Sequence, residues 1–569
     1  MARSRGGFRA LSWANQLLAY QRPSWKCASC KVSPAAARSP RRYATTSEGA
    51  STKPYYITTP IFYVNSAPHV GHFYTMVLAD VLKRWRTLLG DNKAQLLTGT
   101  DEHGIKIQQA ANAAGIDTQA FCDRNCKTFQ ALAHAAQMDY NYFIRTTDPA
   151  HKEAVQYFWE MLEHRGYIYA AKHEGWYSVS DETFYPQSQV HLSLDPATGR
   201  KRMVSIETGK EVEWSSETNY HFRLSAFKER LLELYKTNFI TPEQYAGNVI
   251  QSVSSGLSDL SISRPVERLT WGIPVPGDDK QTIYVWLDAL VNYLTKAGYP
   301  FPPGEGARLG WPADVHVVGK DIVRFHCVYW PAFLMALDLP IPRNVLVHGH
   351  WTINREKMSK STGNVVNPFF AINRFGVDTM RFFLAFQGGL GSDADYDNAH
   401  IIRDYKKYLQ QGIGNIAHRT IGCAKGKLRT YIVNAVSGNS HSEKKDRVYH
   451  ESLEQLSTKV AEHMENLNPR AALQEIMTIV LQTNKYFHNS EPWTNPEEKQ
   501  RVLFNVAESM RITGILLQPF MPNKAKEILE LFRVDSSKRS LSDARYASDP
   551  DYGEDIKKKL LFPPLIIEE

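Results

Sequence analysis

Short β-branched and aromatic runs alternate with longer stretches of helical period over residues 53–170, the texture of a parallel α/β layer. A run from Tyr55 to Asn65 precedes Val70, Leu78, Val81, Leu82 and Trp85, which recur at helical spacing. Residues 95–104 read as a buried strand ending in a polar turn. From about 171 to 265 short strands, Gly/Pro punctuation and charged turns predict a small β-rich insert. The α/β pattern then resumes: 283–288, 314–319 and 344–350 read as strands, and 322–337 as helical. Between about 395 and 535 apolar faces at helical spacing (405–419, 451–466, 471–486, 502–517) predict an all-α bundle. The fold expected is α/β with an insert, then helices. Its segments are 48–170 and 266–344 (two halves of one sheet domain), 171–265 (insert), 345–394 (linking region), 395–535 (bundle) and 536–569 (polar tail).

Composition changes the picture at one place. The 569 residues are 43% hydrophobic and 22% charged, ordinary for a globular chain of several domains. No apolar run approaches the roughly 20 residues that a membrane helix needs. The net charge of +8 suggests nucleic acid until it is located. Residues 1–47 hold seven Arg, two Lys and no acid, so removing them takes the charge from +8 to −1. An Arg-, Ser- and Ala-rich, acid-free leader is the composition of a mitochondrial transit peptide, with cleavage expected near Arg42; a basic arm touching nucleic acid is the alternative. Cys27 and Cys30 resemble half a zinc site, but no second pair accompanies them.

Candidate chemistry lies in two stretches. His69-Val70-Gly71-His72 opens a helix after a strand, so two imidazoles share one face of a first turn whose N–H groups and dipole favour anions. Lys357-Met358-Ser359-Lys360-Ser361 is a cationic loop whose flexible point charges suit a phosphate chain. Alone, the first reads more readily as surface histidines at a helix start and the second as a charged solvent loop. Asp101, Glu102 and His103 end a strand, where parallel sheets bind ligands, and read either as a solvated loop or as an amine- and ribose-binding edge.

Together, and in this order, the two stretches resemble the HIGH and KMSKS motifs of the class I aminoacyl-tRNA synthetases, with Val70 in place of Ile. The runs 59–65, 99–104, 284–289 and 319–326 are similar to methionyl-tRNA synthetases in particular, over essentially all of 53–535, and the leader suggests the mitochondrial type. The resemblance implies a Rossmann-like catalytic domain, a motif loop with stem contacts at 345–394, and an anticodon-binding bundle. It implies activation of L-methionine with ATP and Mg²⁺ and transfer to tRNA(Met) in the mitochondrial matrix. His69, His72, Lys357 and Lys360 would be catalytic, and Gly71, Ser359 and Ser361 would join them in binding ATP. Ile61, Tyr63, Asp101, Trp286, Ala289, Tyr293, Ile322, His326 and Trp330 would hold methionine: Asp101 its ammonium, Tyr63, Trp286 and Trp330 its thioether, Tyr293 and His326 hydrogen bonds near the sulfur. Arg264 falls where relatives carry a charged active-site residue.

Asn415, Arg419 and Trp493 would read the anticodon. The insert lacks the cysteine knuckles of many relatives, so no structural zinc is expected, and a monomer is expected because no module follows the bundle. A valyl, isoleucyl or leucyl enzyme, a tRNA-binding scaffold and a small-molecule nucleotidyltransferase remain as alternatives.

Overall fold

The computed structural model describes residues 53–179, 183–195, 198–302, 305–358, 364–438 and 446–565. The leader with Cys27 and Cys30, and the loop residues Ser359, Lys360 and Ser361, lie outside them. Seven parallel strands form the central sheet: β1 (Tyr56–Thr58), β2 (Phe62–Tyr63), β3 (Gln95–Asp101), β4 (Tyr142–Arg145), β5 (Ile240–Thr241), β6 (Val315–Gly319) and β7 (Asn344–His348). Their order is β5-β7-β6-β1-β3-β2, with β4 also paired to β3. Every residue of β6 is buried, as are Val345, Leu346 and Val347 of β7, so these strands are continuous apolar runs. Helix α1 (Val70–Leu88) follows β2 and buries Phe73, Val77, Val81 and Trp85 at helical spacing.

Two expectations change. Residues 283–288 are not a strand: the strand ends at Ile283 and helix α2 (Val285–Lys296) begins. The misread residues, Val285–Asp288, span barely one turn and open on a β-branched and an aromatic residue, too short a stretch to show a period; the polar Asp288, Asn292 and Thr295 recur at helical spacing only over the whole helix. The stretch read as insert is also interrupted, because Ile240–Thr241 pairs in parallel with Val345 and Leu346 and returns to the main sheet.

The remainder of the insert is antiparallel. Its strands Ile168–Ser178 and Glu213–Phe222 pair over ten registers, with a hairpin of Val190–Leu194 and Lys201–Ser205 beside them. Its own core is small, built on Tyr185, Val190 and Val212.

The bundle includes Asn415–Ala424, Arg447–Glu465, Pro469–Ser490 and Pro496–Leu516, together with Leu428–Gly438 and Pro522–Leu531, which lay outside the four segments read from periodicity. The tail folds back on it: Leu561 and Phe562 are buried, and the Tyr552 hydroxyl donates to Glu508 at 2.6 Å. Catalytic half and bundle share one hydrophobic core. At its polar centre Arg381 meets Asp80 of α1 at 2.6 Å, both fully buried, and donates to the carbonyls of Ala136, Pro519 and Phe520.

Candidate active site

The carboxyl ends of β2, β3, β6 and β7 surround a cavity of about 440 Å³. The start of α1 forms one wall. His69 caps that helix, its Nδ1 accepting from the Gly71 N–H at 3.0 Å, and His72 Nδ1 accepts from the His69 N–H at 3.0 Å. A nitrogen that accepts carries no proton, so in each neutral ring the proton sits on Nε2. Both imidazoles line the cavity, with ring centroids 3.9 Å apart. Gly71 has a reason beyond ligand approach. A Cβ there would stand 2.8 Å from His69 Cε1, so any side chain would displace the imidazole.

The strand-end turn divides its three polar residues. Asp101 borders the cavity. Glu102 is fully buried, accepting from Arg145 Nε and from the hydroxyls of Thr100 and Thr147. His103 Nδ1 lies 2.7 Å from Asp288, whose other oxygen lies 2.8 Å from His151 Nε2. Burial pushes the Asp288 carboxyl up, but the two histidines prevail and hold it at about 2. This His–Asp–His bridge locks α2 to the end of β3. Glu102 and His103 are therefore neither a solvated loop nor a ligand edge; only Asp101 of the three faces the cavity.

From α2, Trp286, Ala289 and Tyr293 face the cavity, opposite Ile61 and Tyr63. Trp286 stacks on Phe325 at 3.6 Å and 7°. Ile322 and His326 complete this wall, His326 on a π-helical turn, Phe325–Tyr329. His326 Nδ1 must donate to the Ile322 carbonyl at 2.9 Å, so its Nε2 accepts the Tyr293 hydroxyl proton at 2.7 Å. Both protons expected near a sulfur are thus spent inside the wall. Burial holds His326 down at about 4, and the ring stays neutral. Trp330 does not line the cavity. It is fully buried behind Tyr293, donating to His316 Nε2 at 3.3 Å. Arg264 also lies one layer back, its guanidinium 4.7 Å from the Tyr284 ring centre and 5.3 Å from those of Tyr177 and Phe184.

Several cavity residues were not singled out from sequence. Asp321 lies where Gly319 leaves room: a Cβ on Gly319 would meet its Oδ1 at 2.7 Å. His350 Nε2 sits 3.2 Å from the same oxygen. Phe184, Tyr185, Glu207 and Thr208 of the insert roof the cavity. Met358 of the lysine-rich loop also borders it.

A second cluster lies on the bundle. The Arg419 guanidinium stands 4.7 Å over Phe487 and 5.0 Å over Trp493, and Asn415 Nδ2 is 3.3 Å from Asn484 Oδ1. Trp493 is 47% exposed, so a large aromatic edge is offered to solvent beside a cation. Asn484 and Phe487 belong to the patch by tertiary packing alone. Among the described residues no group of three or more His, Cys, Asp or Glu is placed to hold a metal ion.

A parallel sheet whose strand ends face paired imidazoles at a helix start, carried with a helical bundle on one core, has the architecture of a class I aminoacyl-tRNA ligase. Sequence comparison agrees: the family described as tRNA synthetases class I (M) matches residues 55–421, and the anticodon-binding domain of tRNA ligases matches 446–562. The chain belongs to the class I tRNA synthetases of this (M) group, the methionyl enzymes. It is 49% identical to a probable mitochondrial methionine–tRNA ligase of Neurospora crassa, over 100% of this chain and 95% of that one. It is 42% identical to the mitochondrial methionine–tRNA ligase of Homo sapiens, over 86% and 85%. A structure of Mycobacterium tuberculosis methionyl-tRNA synthetase in complex with methionyl-adenylate superposes with a TM-score of 0.80 at 37% identity, covering 90% of this chain and 100% of that one.

Proposed function

We propose that this chain joins L-methionine to ATP as methionyl-adenylate and passes the methionyl group to tRNA(Met) in the mitochondrial matrix. The observation carrying this reading is a single cavity bordered by the His69 and His72 imidazoles and also by Asp101, Trp286 and Tyr293. In the first step a methionine carboxylate oxygen bonds to the α-phosphorus of ATP, and the bond to the β-phosphate oxygen breaks, releasing pyrophosphate. That carboxylate is already ionised near neutral pH, so no general base is needed. Charge gathers on phosphate oxygens, where fixed donors act most strongly.

The Nε2–H groups of His69 and His72 serve as those donors, and Gly71 lies beneath the adenine or ribose. Lys357 and Lys360, with Ser359 and Ser361, close over the β- and γ-phosphates. Mg²⁺ enters with ATP on phosphate oxygens. Asp101 takes the methionine ammonium, and Asp321 is suited to the ribose hydroxyls. Ile61, Tyr63, Trp286, Ala289 and Ile322 enclose the thioether, with sulfur–aromatic contacts of about 0.3–1.5 kcal/mol each. Tyr293 and His326, their protons committed to each other and to Ile322, favour a weak acceptor such as sulfur over a hydroxyl or amide that demands a partner; Trp330 supports Tyr293 from behind. In the second step the terminal ribose hydroxyl of tRNA attacks the adenylate carbonyl and AMP leaves. Trp493 stacks on an anticodon base while Asn415 and Arg419 contact its edge. Residues 1–47 direct import, and the chain acts as a monomer.

The test is methionine-dependent ATP–pyrophosphate exchange by the full chain beside a Lys357→Ala, Lys360→Ala variant. Exchange with methionine alone, lost in the variant, is the expected result. Well-folded protein that exchanges with no amino acid would overturn the reading.

A further inference from the structure

Bordering the same cavity as His69 and His72, two residues with no assigned role join the halves of the sheet domain. Thr75 of α1 is 5% exposed, one turn after Gly71. Its hydroxyl lies 3.1 Å from the Gly71 carbonyl and 2.9 Å from Nε2 of His348, the last residue of β7. His348 Nδ1 lies 2.8 Å from the Gly349 carbonyl, which can only accept, so Nδ1 carries the proton and Nε2 accepts. The Tyr74 ring stands edge-on to His348 at 5.0 Å and 71°, which fixes the imidazole plane.

The Thr75 hydroxyl thus has one proton and two acceptors. Given to Gly71, it makes the i−4 back-bond that bends helices, at the turn between the two imidazoles. Given to His348, it leaves that turn to its backbone ladder and ties α1 to β7, whose chain continues through Trp351–Ile353 towards Lys357.

We infer that Thr75 and His348 are positioning residues for adenylate formation, setting the Gly71 turn so that His69 and His72 meet the triphosphate. The inference rests on the reading of this cavity as the ATP-activating site.

The experiment uses the full chain in ATP–pyrophosphate exchange, with Thr75→Val, Thr75→Ser and His348→Gln, and thermal unfolding of each. Displacement of catalytic groups by a fraction of an ångström costs rate, so Thr75→Val is expected to lower kcat about tenfold or more with little change in the KM for methionine. Its Tm should fall slightly, because the buried His348 Nε2 loses its donor, and every assay is run well below it. Thr75→Ser, which keeps the hydroxyl, and His348→Gln, which keeps an acceptor, should recover most of kcat. A Val variant as fast as wild type, a Ser or Gln variant as slow as Val, or a kcat loss that vanishes when the variant is assayed well below its Tm would overturn the inference while leaving the proposed function intact. Wild-type chain inert towards methionine would overturn both.

Discussion

Lowering the pH should destabilise this protein through His326 by an amount the structure sets. Burial holds its imidazole at about 4 instead of the usual 6.5, against the opposing pull of the Ile322 carbonyl. Between those values the unfolded chain takes up a proton that the folded ring refuses, so stability falls as pH falls. The contribution is complete above 6.5 and gone near 4. The whole shift is worth about 3 kcal/mol, of which about 2 kcal/mol is lost by about pH 5. His348, held at about 4 for the same reason, titrates in the same window, so the wild type alone does not isolate the term.

The His326→Gln variant does isolate it, because it has no ring to protonate. Near neutral pH the variant should be less stable by about 1–3 kcal/mol, the cost of disturbing a buried hydrogen-bonded pair. Urea unfolding followed by circular dichroism should show that gap narrowing by about 2 kcal/mol towards about pH 5. Parallel curves across the window would refute the reasoning: they would mean that His326 is not held neutral by its surroundings.

Three further outcomes follow from particular contacts. Gly71→Ala forces a methyl to within 2.8 Å of His69 Cε1. Pyrophosphate exchange should drop by about 10–100-fold while circular dichroism stays unchanged, since the displaced ring is a donor and not a core residue. Asp80→Asn removes the charge facing Arg381, and breaking such a buried pair costs about 3–5 kcal/mol. Thermal unfolding should register the loss, and a wild-type Tm would refute the pair's structural role. Trp493→Ala should raise the KM for tRNA by about 10–100-fold, the worth of one stacked base, and leave pyrophosphate exchange untouched.

Much of this protein was already legible in its sequence. The pairing of His69-x-Gly-His72 with Lys357-Met-Ser-Lys360-Ser is a local pattern with a local cause: a helix start and a cationic loop need only neighbouring residues. The order of α/β halves, insert and bundle followed from hydrophobic period, which short-range geometry imposes on any helix or half-buried strand. A single turn is too short to show a period, and so the largely apolar Val285–Asp288 looked like strand when it opens a helix.

What tertiary structure alone decided is which polar groups face the cavity and which are consumed in holding it. Asp101, Glu102 and His103 are consecutive and chemically similar, yet only Asp101 borders the cavity, because Arg145 claims Glu102 and Asp288 claims His103. Trp330 lies behind Tyr293, and the Tyr293 proton belongs to His326, for the same reason. Thr75 and His348, 273 residues apart, meet at 2.9 Å only because parallel strands bring their carboxyl ends to one edge of the sheet. Hydrogen-bond partners distant in the chain are chosen by packing, and no spacing along the sequence encodes them.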